Sequence, residues 1–149
     1  NFGNVNNAAG VLEALRRADT AIGSARAFLR EHPDTLILTA ADSEAGGLHI
    51  VAVPAEAAEQ PLPATRRNGA PLDGRDGTGT PPFLAMPDRF GRRLPFGIAW
   101  ADLEDVAGGI VVRAEGVNAE ALQSGSCDNT DIYRLIYLTL FGHAPGAER

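Results

Sequence analysis

Residues 35–48 read TLILTAADSEAGGL, and the change of character inside them sets the fold class. The run 35–41 (TLILTAA) is continuously apolar and bounded by turn residues. That is the pattern of a strand covered on both faces, as in a parallel sheet flanked by helices. It breaks into Asp42, Ser43 and Glu44, followed by Gly46 and Gly47, a polar loop at the carboxyl end of the strand. In open α/β sheets, ligands bind at that end. A carboxylate leaving a buried strand is held rigidly, which suits a metal ligand that must keep its geometry. The two glycines let the backbone turn sharply and approach a ligand closely.

Upstream, residues 8–31 carry a helical pattern. Leu12, Leu15, Ile22 and Leu29 fall near one face, with Ala18 and Ala25 between them. Asn6 or Asn7 is placed to accept from the free amides at the start, and Pro33 forces an end. His32 reads as a charge complementing the helix dipole. Downstream, residues 48–53 (LHIVAV) are a second strand. Residues 54–95 then hold eight of the ten prolines and many glycines, and read as an irregular insertion, either functional or an excursion over the surface. Arg89, Arg92 and Arg93 near its end suit either a solvated face or an anionic group. Order returns at 96–101 and in a strand at 109–115 (GIVVRAE), with a short helical turn at 118–122. The last element, DNTDIYRLIYLTLFG, is a helix capped by Asp128, Asn129 or Thr130 and stopped by Gly142. Ile132, Leu135, Ile136 and Leu140 form its stripe, and Tyr133 and Tyr137 share a packing face. Helix, strand, strand, long excursion, strand, helix is an α/β order, within one domain spanning 1–149.

Bulk properties set the bounds. The 149 residues suffice for one core, and 44% hydrophobic with 21% charged residues is ordinary for a globular chain. A net charge of −6 argues against nucleic acid as a partner. All 13 basic residues are arginine, scattered along the chain. No apolar run approaches the ~20 residues of a membrane span. The lone Cys127 excludes an internal disulfide and a cysteine zinc site, and reads as a buried structural thiol. The opening NFGNVNNAAG shows no signal core, and a chain that opens this way reads as the later part of a longer one. No nucleophile elbow, P-loop or dinucleotide fingerprint occurs. His32, His49 and His143 lack a metal-binding spacing and read as structural or surface groups.

Several of these segments together resemble the alkaline phosphatase family. The family carries a buried strand ending in Thr-Ala-Asp-His-Glu, then commonly Thr-Gly-Gly-Leu; this chain has Ala40-Ala41-Asp42-Ser43-Glu44-Ala45-Gly46-Gly47-Leu48. The family's Asp-x-Ala-Val helix and Asn-Pro-Asp-Thr-Leu resemble Asp19-Thr20-Ala21-Ile22 and His32-Pro33-Asp34-Thr35-Leu36. Its closing Asp-Asn-Thr-Asp is matched by Asp128, Asn129, Thr130 and Asp131. The resemblance implies the C-terminal portion of a phosphomonoesterase built on a parallel sheet. Two zinc ions and a magnesium would activate a serine, and would clamp the attacking and leaving oxygens. That serine, its neighbouring aspartate and the phosphate-binding arginine belong to the family's N-terminal half and have no place here.

The departures from the family are specific. The histidine after the strand aspartate is Ser43. Two further metal histidines fall on Asn4 and on or near Asp105. The resemblance therefore implies a metal site made of Asp42, Asp105, Ser43 and Asn4, with only Asp42 kept intact. Zinc is the family's metal, whereas oxygen donors suit magnesium, calcium or manganese. The implied partners are a phosphate ester substrate, the N-terminal half of the same protein and a second copy in a homodimer. The implied location is periplasmic or secreted. Two other readings stand beside it: a sulfatase or phosphodiesterase relative, and a degenerate, non-catalytic module that binds an anion or a protein.

Overall fold

The computed structural model describes residues 2–122 and 125–146. The chain is mixed α/β, with two α-helices and three small sheets among the described residues. It divides into two compact units, residues 1–17 with 42–110, and residues 18–41 with 111–149.

Helix α1 (Ala8–Glu31) has the expected bounds. Asn7 caps it, its Oδ1 accepting from the Gly10 amide at 2.8 Å, and Pro33 follows its end. The expected stripe is only partly covered: Leu12 and Leu29 are half-buried, while Leu15 and Ile22 are exposed.

The first unit is built around β7 (Pro95–Ala99), the PFGIA run. On one side it pairs with β3 (His49–Ala52), with Ile50 opposite Ile98. On the other it pairs with β4 (Leu72–Gly74) and β6 (Phe83–Leu84), and β4 carries β5 (Gly77–Thr78). Residues 54–95, read from sequence as irregular, therefore supply three of the five strands of this sheet. At two or three residues each, those strands are too short to show a period of two, and prolines punctuate them.

Ile98 and Trp100 are fully buried and pack with Ala8 of α1, and Val11, Leu12, Leu48, Phe83 and Phe96 lean on that cluster. Burying each large side chain contributes about 1.5–3 kcal/mol. Beside them lies Asp73, which is also buried. Its carboxylate accepts from Trp100 Nε1 at 3.1 Å and from Thr78 Oγ1 at 2.7 Å, so both oxygens are satisfied. A buried carboxylate without such partners would cost several kcal/mol.

A two-residue ladder, β2 (Glu44–Ala45) against β8 (Asp105–Val106), completes the first unit. The second unit holds β1 (Leu36–Thr39) paired with β9 (Arg113–Gly116), the remainder of α1, and α2 (Asn129–Phe141). Arg26 pairs with Glu115 at 2.8 Å. Asp128 and Asp131 cap α2 reciprocally: the Asp128 carboxylate accepts from Thr130 N at 2.9 Å, and Asp131 accepts from Asp128 N at 3.0 Å. Gly142 ends the helix in a left-handed conformation, its amide donating to the Leu138 carbonyl. Leu135 is buried and Ile132 half-buried, whereas Ile136 and Leu140 are exposed.

Three expectations are corrected. Among the described residues every strand pair is antiparallel, so the parallel sheet expected from residues 35–41 is not shown. An apolar run reports how a strand is covered and not which way its neighbour runs, and all four residues of β1 are half-buried rather than buried. Cys127, expected inside, is exposed just before the α2 cap. The strand read at 109–115 begins four residues later, at Arg113, leaving residues 109–112 outside any strand.

Candidate functional site

The β2–β8 ladder places Ala45 opposite Asp105, so Ser43 arrives beside the Asp105 side chain. Ser43 Oγ donates to Asp105 Oδ1 at 2.8 Å. The same oxygen accepts from Asn4 Nδ2 at 3.0 Å. Asn4 sits in the single turn of 3-10 helix at Gly3–Val5, just before α1. Three segments far apart in sequence thus meet at one carboxylate oxygen. Asp42, one residue before Ser43, is exposed and makes no hydrogen bond among the described residues.

Glycine geometry holds the cluster together. Gly46 and Gly47 both take positive φ, at 71° and 56°. The Gly46 amide donates to the Glu104 carbonyl at 3.0 Å, and its own carbonyl accepts from Ala101 N at 2.9 Å and Asp102 N at 3.3 Å. A side chain on Gly46 would run into the Gly3 carbonyl oxygen and stand 2.9 Å from the Trp100 ring. The close approach that sequence assigned to a ligand is thus made by the turn bearing Asn4 and by the core tryptophan. Asn6, also at positive φ, completes the support, its amide nitrogen donating to the Asp102 carbonyl at 2.8 Å. The sequence reading passed over this role for Asn6; its signal is an asparagine, a residue that tolerates the left-handed region, at a helix entry.

Of the four positions implied for a metal site, three converge and Asp42 stands outside their hydrogen bonds. Their donor chemistry is oxygen only. A zinc ion does not fit it, because zinc sites draw on imidazole or thiolate and none is in the cluster. His49 Nδ1 lies 2.9 Å from the Gly47 carbonyl oxygen and is engaged there. Among the described residues no three His, Cys, Asp or Glu side chains group as a metal site. A hard cation fits the donor class, since magnesium and calcium take carboxylate, hydroxyl and amide oxygens and complete their shells with water. Asn4 turns its nitrogen, not its oxygen, toward Asp105, so the amide would have to rotate to serve.

In the closing Asp128-Asn129-Thr130-Asp131 motif the two aspartates form a reciprocal helix cap. Thr130 backbone bonding holds the Asp128 carboxyl below its ordinary value. The chain matches no family model, no curated protein and no solved structure.

Proposed function

We propose that this chain is the later part of a metal-dependent phosphomonoester hydrolase resembling alkaline phosphatase, inactive without the nucleophile-bearing half. One observation supports the reading. Asn4, Ser43 and Asp105, which the resemblance alone assigned to one metal site, meet at a single oxygen although Asn4 and Asp105 are 101 residues apart. Asp105 would hold a hard divalent cation with Ser43, Asn4 and the neighbouring Asp42. Such a cation would supply charge to offset the phosphoryl oxygens. The chain's own contribution is positioning: the Gly46 turn and the β2–β8 ladder hold the oxygens in place.

A second reading, the non-catalytic binding module, is favoured by a different feature. Ser43 Oγ and Asn4 Nδ2 both donate to Asp105 Oδ1, so the protein's own donors already engage that oxygen. Calorimetric titration of the purified chain with magnesium, calcium, manganese and zinc separates the two. The hydrolase reading expects a hard cation to bind, and Asp105→Asn and Asp42→Asn each to weaken it by about tenfold or more. No binding of any hard cation gives the site to the second reading, and tightest binding by zinc removes the hard-cation assignment. With an activated aryl phosphate the chain alone is expected to show no turnover, because catalytic groups that act as a unit lose nearly everything when one is missing.

A further inference from the structure

At the end of the β6–β7 hairpin, exposed apolar side chains and uncompensated positive charge coincide. Leu84 pairs with Pro95, and Ala85 N donates to the Leu94 carbonyl at 3.0 Å. Beyond that rung the chain reads MPDRFGRRL, residues 86–94. Asp88 organises this tip. Its Oδ1 accepts from the Phe90 and Arg92 amides at 2.8 and 2.9 Å, and its Oδ2 from Arg92 Nε at 2.9 Å. The Asp88 amide donates to the Arg92 carbonyl, and Gly91, at φ 77°, donates back to the Asp88 carbonyl. The tip is therefore preformed.

Its apolar side chains face water: Met86 is 79% exposed, Phe90 66% and Leu94 52%. The Arg89 guanidinium stands 4.7 Å from the Phe90 ring centre and that of Arg92 5.2 Å. Asp88 compensates Arg92, at 2.8 Å. Arg89 and Arg93 have no carboxylate partner among the described residues, in a chain whose net charge is −6.

The geometry points to this tip as a loop that docks on the headgroup layer of an anionic bilayer. Met86, Phe90 and Leu94 enter the boundary between headgroups and acyl chains, while Arg89 and Arg93 meet lipid phosphates. Apolar burial and attraction to anionic lipid together make peripheral membrane binding strong enough to detect, and arginine stems lie along apolar surface with their heads in the polar layer. A preformed tip avoids most of the ordering cost of binding. A nucleic acid is the poorer occupant, because affinity there grows with the number of phosphates contacted and the tip offers two free guanidinia. Its aliphatic Met86 and Leu94 would also gain little against a phosphate backbone. No helix among the described residues is long and apolar enough to cross a membrane, so the attachment proposed is peripheral.

The test is co-sedimentation of the purified chain with vesicles of phosphatidylcholine alone and of phosphatidylcholine mixed with phosphatidylserine. The chain is expected to pellet with the mixed vesicles only. Phe90→Ser should lower its partition coefficient about tenfold, and the pair Arg89→Gln, Arg93→Gln about fivefold or more. Phe90→Trp should show blue-shifted emission with those vesicles, quenched by brominated acyl chains. Equal binding to both vesicle types, or binding untouched by the tip variants, overturns the proposal. So does binding of a single-stranded oligonucleotide, abolished by the arginine pair, with no vesicle binding.

Discussion

Replacing Gly46 by alanine tests whether the β2–β8 loop and the core form one packed structure. The residue sits at φ 71°, where an L side chain costs about 1–2 kcal/mol. The new methyl would also meet the Gly3 carbonyl oxygen, the Trp100 ring at 2.9 Å and the end of the Asn6 side-chain amide at 3.1 Å. Two of those three neighbours are poor at yielding: one is backbone and the other a fully buried indole. Overpacking of this kind adds about 1–3 kcal/mol. The expected loss is thus roughly 2–5 kcal/mol, a melting-point fall on the order of 10 °C or more in a domain this small. Trp100 is the only tryptophan, so its fluorescence through a urea titration reports this core directly. Gly23→Ala is the control of opposite sign. It lies within α1 with nothing inside 4 Å of an added methyl, so the helix should gain about 0.5–1 kcal/mol. If Gly46→Ala melts within 1 kcal/mol of wild type, on the scale where most surface substitutions fall, the coupling of loop to core is wrong.

Three further outcomes follow from single contacts. Trp100→Phe keeps a ring but leaves one Asp73 oxygen unpaired, and should cost about 1–3 kcal/mol by the same titration followed through circular dichroism; an unchanged midpoint would mean the Asp73 network is not holding the sheet. Arg26→Ala should move stability by under about 1 kcal/mol, since its bond to Glu115 is more than half exposed on the arginine side; a larger loss would show that the pair is less exposed than it stands. Asp128→Ala should weaken α2 in a pH-dependent way. The carboxyl is held below its ordinary value, first by the Thr130 amide, so folding favours the ionised form. Its contribution is complete above the ordinary aspartate value and is lost as pH falls through the lowered one. Helix melts should therefore separate wild type from variant at neutral pH and converge in strong acid; a constant gap across that range would assign the effect to something other than the charge.

What sequence made legible was local. The bounds of α1, its asparagine cap, the Asp128 cap and the Gly142 stop follow from residues within a few positions of each other, and the structure has all of them. Sheet direction was not legible, because residues 36–39 are equally apolar whichever way a neighbour runs, and the partner at 113–116 lies far along the chain. The core was hidden for the same reason. Asp73 and Trp100 are 27 residues apart, and the Leu72–Gly74 strand is buried within a stretch whose prolines advertise a loop. A lone tryptophan ending the PFGIA run and an aspartate beside Leu72 were the available signals, and only their meeting gives either one meaning.

The cluster at Asp105 is the reverse case. Nothing in the spacing of Asn4, Ser43 and Asp105 relates them; a resemblance drew them together before any geometry did, and two hydrogen bonds join them. The same comparison of motif with structure cuts the other way at residues 128–131, where the reciprocal cap accounts for the two aspartates and the threonine's amide. A motif wholly satisfied by local backbone chemistry is expected at helix starts of any origin. The β2–β8 ladder brings Ser43 to Asp105, but the arrival of Asn4 at the same oxygen is not required by that pairing. The weight of the functional reading therefore rests on Asp105, and cation binding there decides it.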